Sequence, residues 1–152
     1  MKSIHRKTIK TAFIAFTVLV LFFSASCSTD EQGEFIWEKD RSGGIVITDY
    51  TGTDGKLEIP NQINGSPVRA IGEKAFSTKR LTSVIIPDSV TSIGDWAFAS
   101  NELTNIVIGA NVELEAYAFD NGFEAFYNDN GMMAGTYSRP DAESTVWTQI
   151  SK

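Results

Sequence analysis

The chain has 152 residues, 13 of them basic and 19 acidic, for a net charge of −6, with a single cysteine and a single histidine. That length suits one domain with a modest core, and a lone cysteine closes no internal disulfide, so packing must hold the fold. The acid excess argues against nucleic acid and anionic lipid headgroups as direct partners, because like charges repel.

Lys2, Arg6, Lys7 and Lys10 precede an apolar run from Thr11 to Phe23, and Ser24-Ala25-Ser26-Cys27 comes next. A basic start, a short apolar stretch and small residues before a break predict a secretory signal peptide over residues 1–26. The run is shorter than the ~20 residues that a membrane-spanning helix needs. Cys27 stands where a bacterial lipobox places its modified cysteine, although Ser24 and Ser26 depart from the usual box. Lipidation of Cys27, and with it a membrane anchor, is the expectation; plain cleavage near Ala25 or Ser26 is the alternative. Cleavage before Cys27 leaves 126 residues with nine basic against 19 acidic groups, a net charge of −10. His5 leaves with the signal, which removes Ser-His-Asp and Cys-His catalysis and His- or Cys-based zinc sites from consideration. Residues 27–33 are polar and aperiodic and read as a flexible tether.

A single repeat domain is expected over residues 34–152. Phe35-Ile36-Trp37 and Ile45-Val46-Ile47 flank Arg41-Ser42-Gly43-Gly44, two β-rich runs around a turn signal, hence a hairpin. Residues 34–55 are assigned as the N-terminal cap of a solenoid, since an open solenoid end exposes apolar side chains and unpaired strand edges.

Between residues 56 and 121 one pattern recurs. LTSVIIPDSVTSIGDWAF (Leu81 to Phe98) returns as LTNIVIGANVELEAYAF (Leu103 to Phe119) and, more loosely, precedes itself as KLEIPNQINGSPVRAIGEKAF (Lys56 to Phe76). The Ala-Phe pair falls at Ala75-Phe76, Ala97-Phe98 and Ala118-Phe119, in steps of 22 and 21 residues. A unit that short cannot bury its own apolar face and must stack on a neighbour. Val84 and Ile86 alternate with Ser83 and Ile85, the two-residue period of a strand with one face inward. Pro87-Asp88 ends that strand, Val90 and Ile93 start a second extended piece, and Gly94-Asp95 turns the chain again. A small Ala97 permits close approach, and the Phe98 ring fills the space between layers. In the third copy Gly109 replaces the proline and Leu114-Glu115 replaces Ile-Gly, which weakens the turn signals there. The first copy carries five extra residues between Ile59-Pro60 and Ile71-Gly72, including Asn64-Gly65, and is expected to bulge outward.

These residues resemble the BspA-type leucine-rich repeat of bacterial surface proteins, with its pattern LxxIxIPxxVxxIGxxAF. The resemblance is close in the second copy and partial in the others. Ser77-Thr78, Ala99-Ser100 and Asp120-Asn121 stand where many relatives carry a cysteine after the Ala-Phe pair. The fold expected is mainly β, a short leucine-rich-repeat solenoid of about three coils with a hairpin cap before it and a mixed cap after it. The resemblance also implies an exported surface protein that attaches to host matrix proteins such as fibronectin and fibrinogen, to epithelial cells or to other bacteria.

Residues 122–152 are assigned as the C-terminal cap. Phe123, Phe126 and Tyr127 are spaced for a turn or two of helix ending at Asn130-Gly131. Ala134 to Tyr137 and Ser144 to Thr148 read as two strands around Arg139-Pro140-Asp141. These aromatics are expected in the core, with an aromatic binding platform as the alternative.

Little in the chain carries catalytic chemistry. A carboxylate pair could cleave glycosides, but Asp88, Asp95 and Glu102 fall at turns, where solvated turn chemistry accounts for them. Asn128-Asp129-Asn130-Gly131 resembles a calcium loop, yet an EF-hand register puts Phe126 first and Tyr137 twelfth, where carboxylates are required. Asn64-Gly65-Ser66 matches a glycosylation sequon, a chance match behind a bacterial lipobox. The expectation is a binding protein: no enzyme, no cofactor, no metal, no nucleic acid. In the strand phase set by inward Val84 and Ile86, the outward residues are Ser83 and Ile85, then Asn105 and Val107, then Lys56 and Glu58. Stacking would align them as a partner-binding face for an adhesin, or for an envelope scaffold lipoprotein without an adhesive role.

Overall fold

Stacked parallel strands on two sides of the chain enclose one ladder of aromatic rings. The computed structural model describes residues 34–151. The signal segment, Cys27 and the tether lie outside those residues.

Each coil contributes one strand to a front sheet and one to a back sheet. The front strands are β3 (Lys56–Glu58), β6 (Ser83–Ile85) and β8 (Asn105–Ile108), and the back strands are β5 (Ser66–Ile71), β7 (Ser92–Ile93) and β9 (Glu113–Leu114). Successive front strands pair in parallel, as do successive back strands. Val84, Ile86, Val90 and Ile93 are buried, and so are their counterparts Leu57, Ile59, Val68, Ile71, Ile106, Ile108 and Val112. The two-residue alternation thus decides which side chains face inward.

Ala75, Ala97 and Ala118 are fully buried beside Phe76, Phe98 and Phe119, which are at most 2% exposed. The three phenylalanine rings stack at 5.1 and 4.9 Å with interplanar angles of 5° and 9°. Main-chain N–H groups join the same corners, Phe76 N donating to Ala97 O at 2.8 Å and Phe98 N to Ala118 O at 2.9 Å. Gly94 allows this closeness: a Cβ there would lie 2.9 Å from Glu73 N and 3.1 Å from Gly72 C.

The N-terminal hairpin of β1 (Phe35–Lys39) and β2 (Ile45–Tyr50) is built into the stack. Strand β2 pairs in parallel with β5 and so extends the back sheet to the order β1-β2-β5-β7-β9. Phe35 and Tyr50 close the ring ladder, Phe35 edge-on to Phe76 at 6.2 Å and Tyr50 tilted at 5.5 Å.

The first-copy insertion forms a hairpin: β4 (Gln62–Ile63) pairs antiparallel with the start of β5 around Asn64-Gly65, whose two residues are exposed. Both turn residues have positive φ, 50° and 76°, as a two-residue type I′ hairpin loop demands. The resulting register turns Ile63 inward, where it is 1% exposed.

The C-terminal cap consists of helix α1 (Phe123–Asp129) and strands β10 (Gly135–Ser138) and β11 (Thr148–Ser151). Asn130 is the helix C-cap and its Nδ2 donates to Phe126 O at 2.8 Å, so the Asn-Asp-Asn-Gly run closes a helix. Strand β10 pairs antiparallel with β8, giving a front sheet of order β11-β10-β8-β6-β3. The weak third-copy turn is held by the cap: the Tyr127 hydroxyl donates to Gly109 O at 2.6 Å and accepts from Val112 N at 3.2 Å.

The second cap strand lies later than the expected Ser144 to Thr148, because Trp147 leaves the strand pattern for the core. Trp147 is 3% exposed, meets Phe123 edge-on at 5.0 Å and donates from Nε1 to Asn121 O at 3.1 Å. Arg139 lies beneath it, 5.2 Å from the ring centroid, with Nε on Leu103 O and Nη1 on Ser144 O. Phe123, Tyr127 and Tyr137 are fully buried as well. The C-terminal aromatics are therefore core, and the binding-platform alternative fails for them.

Candidate functional site

The six residues singled out from the repeats come together on the front sheet. Lys56 pairs with Ser83 and Ser83 with Asn105; Glu58 pairs with Ile85 and Ile85 with Val107. Two rows therefore cross the strands, one polar and one of Glu-Ile-Val. Lys56, Glu58 and Asn105 are exposed, Ser83 is half-buried, and Ile85 keeps 40% of its surface in solvent. Val107 is only half-buried, not open, because β10 continues the sheet beyond it and sets Thr136 opposite Val107. That neighbour narrows the apolar patch to Ile85 with one flank of Val107. The chemistry available on this face is contact chemistry: a small apolar centre, two amide or hydroxyl groups and one charge of each sign.

A second feature lies at the corner after each back strand. Ala75, Ala97 and Ala118 donate their N–H to Gly72 O, Gly94 O and Glu115 O at 3.3, 3.3 and 3.1 Å. The residue before each alanine, Lys74, Trp96 or Tyr117, has φ near +57°. A four-residue turn with positive φ at its third position alone is type II, whose third position favours Gly or Asn. A bulky residue held there costs of order 1–3 kcal/mol. Lys74 forms an exposed ion pair with Glu73 at 2.6 Å. Trp96 and Tyr117 stack on each other at 4.8 Å and 21° and stay 41% and 60% exposed. Beyond them a groove of about 520 Å³ runs to α1, lined by Trp96, Tyr117, Asp120, Glu124, Ala125 and Asn128 among others. Sequence reading passed over both rings. The signal that could have found them is a turn position suited to Gly or Asn that carries Trp and Tyr.

Asn101 was also missed. Its Nδ2 donates to Phe76 O, Phe98 O and Ala99 O at 2.7, 2.8 and 3.3 Å. Its Oδ1 accepts from Lys79 N and Leu81 N at 3.1 and 3.0 Å. One amide thereby joins two coils. Among the described residues, no group of three or more His, Cys, Asp or Glu side chains is placed to hold a metal ion. No described helix is long and apolar enough to cross a membrane.

The stacked coils, the ring ladder and the shared corner turns are the geometry of a leucine-rich-repeat solenoid. Residues 55–128 match the family described as BspA type leucine rich repeat region (6 copies). The matched repeats take in a little under half of the chain and correspond to the stacked coils and the start of the cap. A leucine rich cell surface protein from Faecalibacterium prausnitzii is 33% identical over 57% of this chain and 26% of its own, with a TM-score of 0.51. A leucine-rich repeat protein of T. pallidum is 37% identical over 43% of this chain and 32% of its own, at a TM-score of 0.43. One from Bacteroides capillosus is 32% identical over 55% and 62%, at 0.42. The chain thus spans less than two thirds of each of these structures. No curated protein matches it. Over the described residues its fold is mainly β, a repeat solenoid of about three coils with one short helix.

Proposed function

We propose that the chain is a lipid-anchored protein of the bacterial cell surface, held through Cys27, whose front sheet captures a protein partner. The ligand class is that of an adhesin: host extracellular-matrix proteins or the surfaces of other cells. The observation that carries this reading is the alignment of Ile85 with Val107 between the polar row Lys56, Ser83 and Asn105 and the charged Glu58. An apolar side chain exposed on an ordered sheet and ringed by polar groups has the make-up of a contact surface. The cell-surface description of the F. prausnitzii relative supports the location. A mature charge of −10 directs the protein towards basic or neutral surfaces.

The test is capture of immobilised fibronectin by the protein and by its Ile85→Lys, Val107→Lys double variant. Binding should fall at least tenfold while the melting temperature stays within about 2 °C, since changes on an exposed face shift stability little. Equal capture by the folded double variant would move the site off this sheet. Protease shaving of intact cells should remove the domain, whereas full protection would place it inside the envelope, as a scaffold.

A further inference from the structure

Trp96 and Tyr117 are not required by the core, since both rings stand outside it, and their type II turns would be served better by Gly or Asn. Packing and backbone together leave contact with something outside the fold as the reason for two aromatics in register. Trp96 covers one face of the Tyr117 ring at 4.8 Å, so an occupant of the groove has the other face and the ring edge. Both charged side chains lining the groove, Asp120 and Glu124, are acidic. Burial pushes the Glu124 carboxyl above its ordinary range and the nearby Asp95 charge adds to it, although the main-chain N–H groups of Tyr117, Phe119 and Ala118 pull the other way. A carboxylate has about four acceptor sites, so the same group can still face a donor in the groove.

We propose that the groove between Tyr117 and α1 receives an arginine side chain from a basic segment of a protein partner, its guanidinium stacked on Tyr117 and its N–H groups donating to Asp120 and Glu124. Three features select this occupant. A guanidinium is planar and weakly hydrated, so it stacks on an aromatic face while its fork of donors meets carboxylates, which a lysine ammonium does less well. A cation relieves the repulsion between Asp95 and Glu124, whereas a neutral sugar on the same ring would leave it in place. The acidic surface as a whole steers a basic segment towards it. This site is separate from the front-sheet face and does not depend on it.

The experiment is calorimetric titration of the full chain with a blocked Gly-Arg-Gly-Arg-Gly peptide, with its lysine and citrulline counterparts, and with a neutral chitin oligosaccharide. The arginine peptide should bind roughly tenfold more tightly than the lysine peptide, and the citrulline peptide should give no heat. Tyr117→Asn, chosen because asparagine suits the positive φ of that turn, should weaken binding about tenfold. Glu124→Gln, which keeps an acceptor for the main-chain N–H groups, should weaken it comparably. Equal affinity for the citrulline peptide, an unaltered affinity in folded Tyr117→Asn, or binding of the oligosaccharide in place of the arginine peptide would each overturn the proposal.

Discussion

Replacing Phe98 by alanine removes the middle ring of the ladder. That ring is 1% exposed, 5.1 Å from Phe76 on one side and 4.9 Å from Phe119 on the other. Truncating a buried phenylalanine costs ~3–5 kcal/mol, and the higher figures belong to sites that cannot collapse into the cavity. Here the corners on both sides are fixed by the bonds from Phe76 N to Ala97 O and from Phe98 N to Ala118 O. The upper part of that range is therefore expected, a large share of a total stability of ~5–15 kcal/mol. Phe35 provides the contrast. It ends the ladder, is 7% exposed and meets Phe76 at 6.2 Å, so its loss lets solvent and Tyr50 relax into the gap, and Phe35→Ala should fall at or below ~3 kcal/mol. Urea unfolding followed by circular dichroism and by tryptophan fluorescence measures both variants, and the two probes should coincide if the few coils unfold together. Phe98→Ala should also melt about 10–20 °C below the parent. A shift of only a degree or two, or a cost no greater than that of Phe35→Ala, would refute the idea that the stacked rings hold the coils together.

Asn101→Ala should cost ~2–3 kcal/mol, because it strands the N–H groups of Lys79 and Leu81 and the carbonyls of Phe76 and Phe98, which water reaches only in part, while Ala99 O keeps its bond from Thr78 N. Asn101→Asp should cost at least as much, since a carboxylate cannot donate to those carbonyls, and both are read by urea unfolding. Burial and the Glu34 carboxylate push the Tyr50 phenol up to about 12. A raised folded-state value means that the stability it contributes is complete below the unfolded value of ~10 and is lost as pH rises from there through about 12. Tyr50→Phe should flatten the decline of stability across that window, and an unchanged slope would assign the decline to other groups. Cys27→Ser should abolish fatty-acid labelling and partition into the detergent phase; a mature N-terminus at any other residue would end the lipid-anchor reading.

The sequence by itself determined the coil. A period of 22 and 21 residues with alternating apolar positions names the inward side chains, because strand geometry sends every second residue to the same face and a repeat aligns equal positions in neighbouring coils. The two front-sheet rows come from that alone, and the hairpin cap and the short helix were legible from local turn and spacing signals. Tertiary structure decided the rest. Whether Val107 is open depends on β10, a strand from 28 residues or more down the chain that sets Thr136 beside it. The Asn101 amide joins coils through partners that no spacing reveals. Trp147 leaves its strand for the core because Asn121 and Arg139 offer its polar and aromatic faces a place there. The rings divide for the same reason: an aromatic side chain is apolar wherever it occurs, so composition sends Trp96 and Tyr117 inward with the others. Only the handedness of the corner turn, with φ near +57° in each coil, points those two away from the core and leaves them exposed.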